Sequence, residues 1–345
     1  MKLWNNSPFL RILVAISLIG VVTLSLHFVR VPGSSAPDFP CGSQAKTTAN
    51  INIASGESGS EIAQSLFDAG VVKSSEAYFR VAVGDPRSQK VAPGNHEIDL
   101  NLCATEALNQ LLDSARITGL ININEGAWLS EILPQFYAAN FSQSDVAAAL
   151  KKVAKPKGFS SIEGLLFPAQ YSFATDTSAD VALQSMVNRA EKEMRAAGFY
   201  ASKGKFTPQQ LLIIASLVQA EGNTEDFAKI SQVIRNRLIK GMPLQFDSTV
   251  HYVKKTRGSI FLSTQSTLLN SPYNTYRKYG LPPGPINNPG SDAMRAAVNP
   301  TPGDWLYFIT VAPFDTRYTS DISQFNDWKV EYKKNLRAGK FRSNK

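Results

Sequence analysis

The sequence predicts an α+β protein in which a single N-terminal membrane helix precedes two folded units. Three observations support this prediction. The chain has 345 residues, a length that corresponds to about two domains. An uncharged apolar run covers residues 12–29. After it, short Ile-x-Ile segments alternate with stretches of helical periodicity, which is typical of strands and helices mixed along one chain.

The basic charge of the chain is concentrated at its two ends. The sequence contains 36 Lys and Arg against 28 Asp and Glu, a formal net charge of +8. Residues 1–35 have three basic and no acidic side chains, and residues 329–345 have seven basic side chains and one acidic one. Nucleic-acid binding needs basic charge on the folded face. The charge distribution therefore argues against a nucleic-acid partner, and the basic tail favours contact with an anionic polymer or lipid.

The N-terminal segment predicts a membrane anchor. A spanning helix needs about 20 apolar residues, and we assign it to residues 12–30, with residues 1–11 as a cytoplasmic tail because Lys2 and Arg11 precede the helix. The alternative is a cleaved signal peptide. However, the apolar run is longer than an h-region of about 7–15 residues, and no Ala-x-Ala site precedes the linker. We expect a single-pass protein of the cell (inner) membrane with its folded units outside the cytoplasm.

Residues 31–48 are rich in Pro, Gly and Ser and predict an extended linker. Cys41 lies in this linker, and Cys103 lies in the unit that follows. In an exported compartment the two could form a disulfide; two unrelated small hydrophobic residues are the alternative, and the sequence leaves both open. The three histidines have no metal-ligand spacing, so neither a metal nor another cofactor is expected.

A short internal repeat opens each folded unit. Residues 51–62 and 121–132 are identical at seven of twelve positions, at an offset of 70 residues. In each copy the Ile-x-Ile segment predicts a strand and the glycine after it a turn. Ser60 and Ser130 are predicted to be the N-caps of the helices that follow.

The first copy continues through helices predicted at 60–69 and near 74–83 to a strand entry within 91–100. This order resembles a LysM-like module, a small fold associated with glycan binding, which we assign to residues 49–116. Two roles remain open for it: sugar binding, or a structural role that orients the following domain.

The strongest chemical signal lies in the helix predicted after Thr207. Thr207, Pro208 and Gln210 form a capping-box pattern. The apolar face of the helix continues to Glu221 at helical spacing. A carboxylate at the end of a buried stripe is partly desolvated, so its pKa should rise toward the range of a general acid. The alternative is a solvated glutamate in the last turn.

The region after Glu221 predicts a second helix followed by ordered loops. Gly222 should end the first helix in a left-handed conformation, and Thr224 should cap the second. Asn236 and Arg237 are expected to fix the end of that second helix. Beyond it, polar and aromatic residues among Pro and Gly are typical of loops that line a groove, with hydroxyl-binding and ring-stacking side chains that suit a sugar.

The ordered motifs of this region resemble one family. They are ASLVQAEG (215–222), VIRNRL (233–238), GMPLQFDSTVHY (241–252), SPYNTY (271–276), GLPPGPI (280–286) and NPG (288–290), with SIEGLLFPAQYSF (161–173) upstream. Together they resemble the endolytic murein transglycosylases (MltG/YceG-like), whose layout also has an anchor and a LysM-like module. The resemblance covers nearly the whole chain. It implies that residues 117–345 form a mixed α+β catalytic domain with a basic C-terminal tail.

The resemblance also implies roles for individual residues. Glu221 matches the family's catalytic glutamate. The implied groove-lining or orienting residues are Gln245, Asp247, Ser248, Thr249, Tyr252, Tyr273, Asn274 and Tyr276. The sequence departs from the family at Ala169-Gln170, where Asp-Thr is usual, and at residues 312–328, which replace a Gly-rich, His-Phe-Ser segment.

The implied function is that of a membrane-anchored endolytic peptidoglycan lytic transglycosylase. Such an enzyme would cleave the MurNAc–GlcNAc bond of nascent glycan strands, leave 1,6-anhydro-MurNAc ends and limit strand elongation, with peptidoglycan synthases as partners. It can work with one carboxylate, whereas a hydrolase normally uses two; if Asp247 activated water, the protein would be a muramidase-type hydrolase. The other alternative is a non-catalytic, membrane-anchored peptidoglycan-binding scaffold.

Overall fold

The computed structural model describes residues 36–42, 47–201, 205–257 and 262–341. The chain divides into two compact units, the first ending at Ile117 and the second beginning at Thr118. The predicted cytoplasmic tail and membrane helix, residues 1–30, lie outside the described residues. Among the residues that are described, no helix is long and apolar enough to cross a bilayer.

The first unit is a two-stranded sheet packed with helices. Its elements are β1 (Thr48–Ile53), α1 (Gly59–Asp68), α2 (Ser75–Gly84), β2 (Gly94–Asp99) and α3 (Ala104–Leu111), with 3₁₀ turns at Pro86–Lys90 and Ser114–Arg116. The strands pair antiparallel, with Ile51 opposite His96. Leu66, Tyr78 and Ile98 are fully buried in its core. The two helices and the second strand that the sequence predicts are confirmed.

A disulfide fixes part of the linker onto the first unit. Cys41 and Cys103 are bonded to each other, and the backbone N–H of Gly42 donates to the Glu106 carboxylate at 2.7 Å. These contacts hold the chain around Cys41 against the first unit. Among the described residues, one group of side chains has the spacing of metal ligands, and it consists of the two cysteines and Glu106. The disulfide bond uses both sulfur atoms, so they are not free to bind a metal.

The second unit surrounds a buried central helix. Its elements are β3 (Ile121–Asn122), α4 (Leu129–Ala138), α5 (Gln143–Lys152), β4 (Gln170–Tyr171), α6 (Ala179–Ala197), α7 (Pro208–Glu221), a 3₁₀ turn (Thr224–Asp226), α8 (Phe227–Ile239), α9 (Asp247–Lys254), α10 (Thr264–Thr267), α11 (Ser291–Val298), β5 (Tyr307–Ala312), β6 (Asp315–Thr319) and α12 (Ile322–Arg337). The strands form two separate antiparallel pairs, β3 with β4 and β5 with β6. Ile121 lies opposite Tyr171, and Tyr307 opposite Thr319.

Helix α7 forms the centre of this core because it is apolar on every side. Residues 211–218 are all buried, and α8 and α11 pack against the helix. The predicted capping box is confirmed: Thr207 Oγ1 accepts from the Gln210 N–H at 3.3 Å, and the Gln210 side chain accepts from the Thr207 N–H at 2.9 Å. Glu221, the last residue of α7, therefore lies at the edge of the core.

Two predicted features after α7 are wrong. Gly222 is extended, with φ −153° and ψ −178°, rather than left-handed. A Cβ at Gly222 would lie 2.3 Å from Ile230 Cδ1, so the close approach of α8 is what requires glycine there. Thr224 opens a 3₁₀ turn closed by a bond from the Asp226 N–H to the Asn223 carbonyl at 2.9 Å. Helix α8 begins only after that turn.

The internal repeat has the predicted strand, turn and helix in both copies, but its helices begin earlier than expected. The N-caps are Ser58 and Trp128 rather than Ser60 and Ser130. In each copy the carboxylate of the glutamate three residues after the cap accepts from the backbone N–H of the cap residue at 2.8 Å. This hydrogen bond from the glutamate side chain back to the cap residue sets the start of each helix. The two serines predicted as caps therefore lie inside the helices.

Candidate active site

Glu221, the last residue of α7, lies against the first turn of α9. The Ser248 hydroxyl, in the first turn of α9, donates to Glu221 Oε1. The pKa of Glu221 is raised from 4.5 to about 7, mainly by burial and also by the nearby Asp247 carboxylate, whereas hydrogen bonds from Ser248 and the charge of Arg237 act in the opposite direction. The side chain is therefore protonated in a large part of the molecules at neutral pH.

Asp247 and Tyr276 form a hydrogen-bonded pair beside this carboxyl. The Tyr276 hydroxyl donates to Asp247 Oδ1. Burial, and then Asp247 itself, raise the pKa of Tyr276, so the phenol keeps its proton and remains a donor. The hydrogen bond from Tyr276 fixes the orientation of the Asp247 carboxylate beside Glu221. An orienting role for Asp247 requires such a fixed position.

Asn236 and Arg237 tie the end of α8 to the segment that leads into β5. Arg237 is buried and its Nε donates to the Leu306 carbonyl at 2.7 Å. Asn236 Nδ2 donates to two carbonyl groups within residues 303–305, at 3.0 and 2.8 Å. The predicted structural role is confirmed, and Arg237 additionally lowers the pKa of Glu221 through its charge.

Three of the predicted groove residues hold the loops together. Thr249 is buried, and its hydroxyl donates to the Phe246 carbonyl at 2.7 Å and meets Thr275 Oγ1 at 3.0 Å. Asn274 is buried and its Nδ2 donates to backbone carbonyls of the preceding turn at 2.7 and 3.0 Å. Gln245 has an exposed side chain, and its backbone N–H donates to the Thr275 carbonyl at 3.1 Å. Their contacts shape the loop around α9.

Tyr252 and Tyr273 belong to an aromatic cluster on the other end of α9. The two ring centroids are 5.2 Å apart, and the Tyr252 ring meets Trp128 edge-on at 6.0 Å. Lys255 Nζ lies 4.1 Å from the centroid of the Tyr252 ring. The cluster joins α9 to the start of α4.

Glu163 is a buried carboxylate that the sequence-based assignment of site residues missed. Its Oε1 accepts from the Leu129 N–H at 2.9 Å and from Asn288 Nδ2 at 3.1 Å, and its Oε2 accepts from the Tyr252 hydroxyl at 3.1 Å. Burial raises the pKa of Glu163. The signal that could have identified it is an acidic residue within the apolar segment SIEGLLF, because an acid there must find donors when it is buried.

The departures from the family pattern fall on backbone-pairing segments. The Ala169 carbonyl accepts from the Ile123 N–H at 2.9 Å, and Gln170, which is exposed, pairs with Asn122 between β3 and β4. Residues 312–328 form the turn of the β5–β6 hairpin, β6 and the start of α12. In neither segment does the change remove a group bonded to Glu221.

A cleft of about 270 Å³ adjoins this site. It is lined by the 125–128 turn, the last turn of α7, one face of α9, residues 256–257 and residues 286–287. Of the residues predicted from the sequence, Ser248 lines the cleft. Arg257 forms one edge, held by both Glu131 carboxylate oxygens at 2.8 and 2.6 Å and stacked 3.9 Å from the Trp128 ring centroid.

The arrangement is suited to acid–base chemistry on a polar ligand. A carboxyl with a pKa near the working pH both donates and recovers a proton. The Glu221 carboxyl lies beside a cleft whose lining includes the fixed guanidinium of Arg257 and several amide and hydroxyl groups.

A sequence model described as the YceG-like family matches residues 51–331. An endolytic murein transglycosylase of Bacillus subtilis (strain 168) is 31% identical over 322 residues, which are 85% of this chain and 87% of that protein. An endolytic murein transglycosylase of Streptococcus pneumoniae (strain D39) is 34% identical over 174 residues, 49% of this chain and 32% of that protein. A crystal structure of a yceG-like protein from Listeria monocytogenes superposes with a TM-score of 0.53 at 25% identity, covering 82% of this chain and 99% of that one.

Proposed function

The chain belongs to the YceG-like family, and from that premise we propose that it is a membrane-anchored endolytic lytic transglycosylase of peptidoglycan. It cleaves the MurNAc–GlcNAc bond of nascent glycan strands and leaves 1,6-anhydro-MurNAc ends, which limits strand elongation. The observation that carries the proposal is the Glu221 carboxyl, with its pKa raised to about 7 beside the cleft.

Glu221 acts first as a general acid. Its proton passes to the oxygen that links MurNAc to GlcNAc while positive charge develops at C1 of MurNAc and the C–O bond breaks. Desolvation favours the neutral carboxyl before the reaction, and the Ser248 hydroxyl and Arg237 stabilise the carboxylate that remains. Acid catalysis of this kind gives about 10²–10⁴-fold in rate.

The resulting carboxylate acts next as the base. It takes the proton from the C6 hydroxyl of the same MurNAc, whose oxygen closes on C1 to form the anhydro ring. Glu221 is thereby protonated again, and no water is consumed. The nucleophile belongs to the substrate and needs no second carboxylate, so Asp247 has the role of orienting and tuning Glu221.

The localisation proposed is outside the cytoplasm, with residues 12–30 as the anchor in the cell membrane. The Cys41–Cys103 disulfide supports an oxidising compartment. The order β1-α1-α2-β2 of the first unit supports the LysM-like assignment. An anchored enzyme would meet strands where they emerge, and synthases at the membrane are the proposed partners.

The test is product analysis with the full-length protein. Wild type and Glu221→Gln are incubated with uncrosslinked glycan strands, and fragments are identified by mass spectrometry. Wild type should produce anhydro-ended fragments and Glu221→Gln should not. Glu225→Gln, a matched change at an exposed glutamate, is the control and should produce them as wild type does. Fragments with reducing ends that carry water would indicate a muramidase-type hydrolase, and binding without turnover would indicate a scaffold; either result would refute the proposal.

A further inference from the structure

Asn287 lies in the wall of the cleft with one polar atom unpaired. The residue is 2% exposed, and its Nδ2 donates to the Ser216 carbonyl at 2.8 Å. Because a carbonyl oxygen only accepts, this contact fixes the orientation of the amide. Oδ1 is buried and has no hydrogen-bond partner among the described residues. An unpaired buried acceptor is unfavourable, so a donor from outside the protein would complete it.

Gln219 offers the opposite group in the same cleft. The backbone N–H of Gly290 donates to Gln219 Oε1 at 2.9 Å. An N–H only donates, so Oε1 faces Gly290 and Nε2 is the other end of the amide. The hydrogen bond that the structure describes for the Gln219 side chain uses Oε1, so Nε2 is the group that this side chain can offer to a ligand. In the cleft wall, Asn287 therefore offers an acceptor and Gln219 a donor, and each of the two amides is oriented by a backbone partner.

This pair of groups is complementary to a secondary amide. An amide presents its N–H and its C=O on two separate atoms, whereas a hydroxyl would have to serve both groups from a single oxygen and a carboxylate offers no donor. Two apolar residues, Ile286 and Ala220, line the same cleft. We propose that the cleft is a subsite for the acetamido group of an N-acetylated sugar, with Asn287 Oδ1 accepting its N–H, Gln219 Nε2 donating to its C=O, and the apolar residues contacting its methyl group.

The subsite is directly connected to the acid. Gln219 and Ala220 immediately precede Glu221 in α7, and Ser248, which bonds Glu221, also lines the cleft. A volume of about 270 Å³ suits one sugar unit with its substituent. The inference rests on the proposed function and deepens it: the enzyme reads the N-acetyl group of the sugar next to the bond it cleaves.

Binding is the first test, because it is independent of turnover. Full-length Glu221→Gln is titrated calorimetrically with uncrosslinked glycan strands, with the same strands after N-deacetylation, and with deacetylated strands re-acetylated by acetic anhydride. Deacetylation should weaken binding about 10- to 100-fold, and re-acetylation should restore it. Equal affinity for acetylated and deacetylated strands would overturn the subsite.

Variants then locate the effect. Asn287→Leu removes the acceptor, and Gln219→Glu keeps the Gly290 contact while removing the donor. In the Glu221→Gln background, each variant should weaken the binding of acetylated strands. Each should also make binding insensitive to deacetylation, because the protein side chain that is replaced and the acetyl group that is removed belong to the same contact. If Asn287→Leu fails to fold by circular dichroism, Gln219→Glu tests the same contact. A deacetylation effect that persists in Gln219→Glu at its full size would contradict the assignment.

Activity is measured separately with Glu221 intact. Both variants should lower kcat/KM on acetylated strands about 10- to 100-fold, and Asn326→Leu, at an exposed asparagine of α12, should not. If wild type forms no anhydro ends, the proposed function fails while the binding comparison still decides the subsite. If wild type is active but indifferent to deacetylation, the subsite alone fails.

Discussion

The ionisation of Glu221 is determined by residues that are far from it in the sequence. Burial within the second unit raises its pKa, and Asp247 raises it further, while Ser248 and Arg237 lower it. The sequence predicts the burial, since Glu221 ends a run of apolar residues. The sequence does not predict how the effects of these neighbours on the pKa balance. The neighbours belong to α8 and α9, and they approach Glu221 only in the folded chain.

The first prediction concerns the pH dependence of cleavage. A general acid must be protonated, and the pKa of Glu221 in the folded enzyme is about 7. We therefore expect kcat/KM to fall as pH rises through about 7, by tenfold per pH unit above it. Initial rates of anhydro-end formation between pH 5 and 9 measure this limb. A flat profile up to pH 9 would contradict the proposed role of Glu221 as the acid.

The second prediction separates the two neighbours of Glu221 by sign. Ser248→Ala removes a hydrogen bond that lowers the pKa of Glu221, so the descending limb should move to higher pH. Asp247→Asn removes a negative charge that raises it, so the limb should move to lower pH. The same pH–rate series measures both shifts, and each variant serves as the control for the other. Shifts in one common direction would mean that the changes act by distorting the site.

At the scale of elements, the junction of α7 and α8 depends on close packing at Gly222. We expect Gly222→Ala to lower the free energy of unfolding by about 1–3 kcal/mol, because its Cβ would lie 2.3 Å from Ile230 Cδ1. Denaturant unfolding measures the loss. Ile230→Val removes that methyl group, so the double variant should be more stable than the sum of the single effects. Gly84→Ala, where nothing lies within 4 Å, is the control and should be close to neutral.

Glu163 joins three elements that form the wall of the cleft. Glu163→Ala leaves the Leu129 N–H, Asn288 Nδ2 and the Tyr252 hydroxyl without their acceptor, and we expect a loss of about 3 kcal/mol in the free energy of unfolding. Glu163→Gln retains an oxygen for two of these donors and should lose less. Chemical denaturation compares the two. An alanine variant as stable as wild type would show that the network does not support the wall.

At the scale of the whole molecule, the disulfide holds the chain that leads into the first unit. It closes a loop with a sequence separation of 62, and such a loop is worth about 4 kcal/mol in a chain-entropy estimate. We expect reduction to speed hydrogen exchange at Gly42 and in the first turn of α3, measured by mass spectrometry of peptides from the first unit. The Cys41→Ser/Cys103→Ser double variant should show fast exchange with or without reductant. Unchanged protection after complete reduction would mean that the hydrogen bonds around Cys41 suffice.

The uneven charge also belongs to this scale. The formal +8 arises at the two ends of the sequence, and the residues between them are nearly neutral. A near-neutral folded part suits a long sugar polymer, for which hydroxyl and amide contacts matter more than net charge.

The sequence by itself determined the local features of this protein. The capping box of α7, the strand–turn–helix repeat and the position of Glu221 at the end of an apolar run follow from residues close together in the chain, because caps, turns and periodicity are short-range effects. The family follows from the order of several such short motifs along the sequence. Only the tertiary structure decided what surrounds Glu221. Ser248 lies 27 residues from it, Glu163 supports a wall through contacts 34 and 125 residues away, and Asn287 meets Ser216 across 71. Buried polar groups need hydrogen-bond partners, and in this protein packing supplies those partners from distant parts of the chain. No local sequence pattern specifies which residues they are.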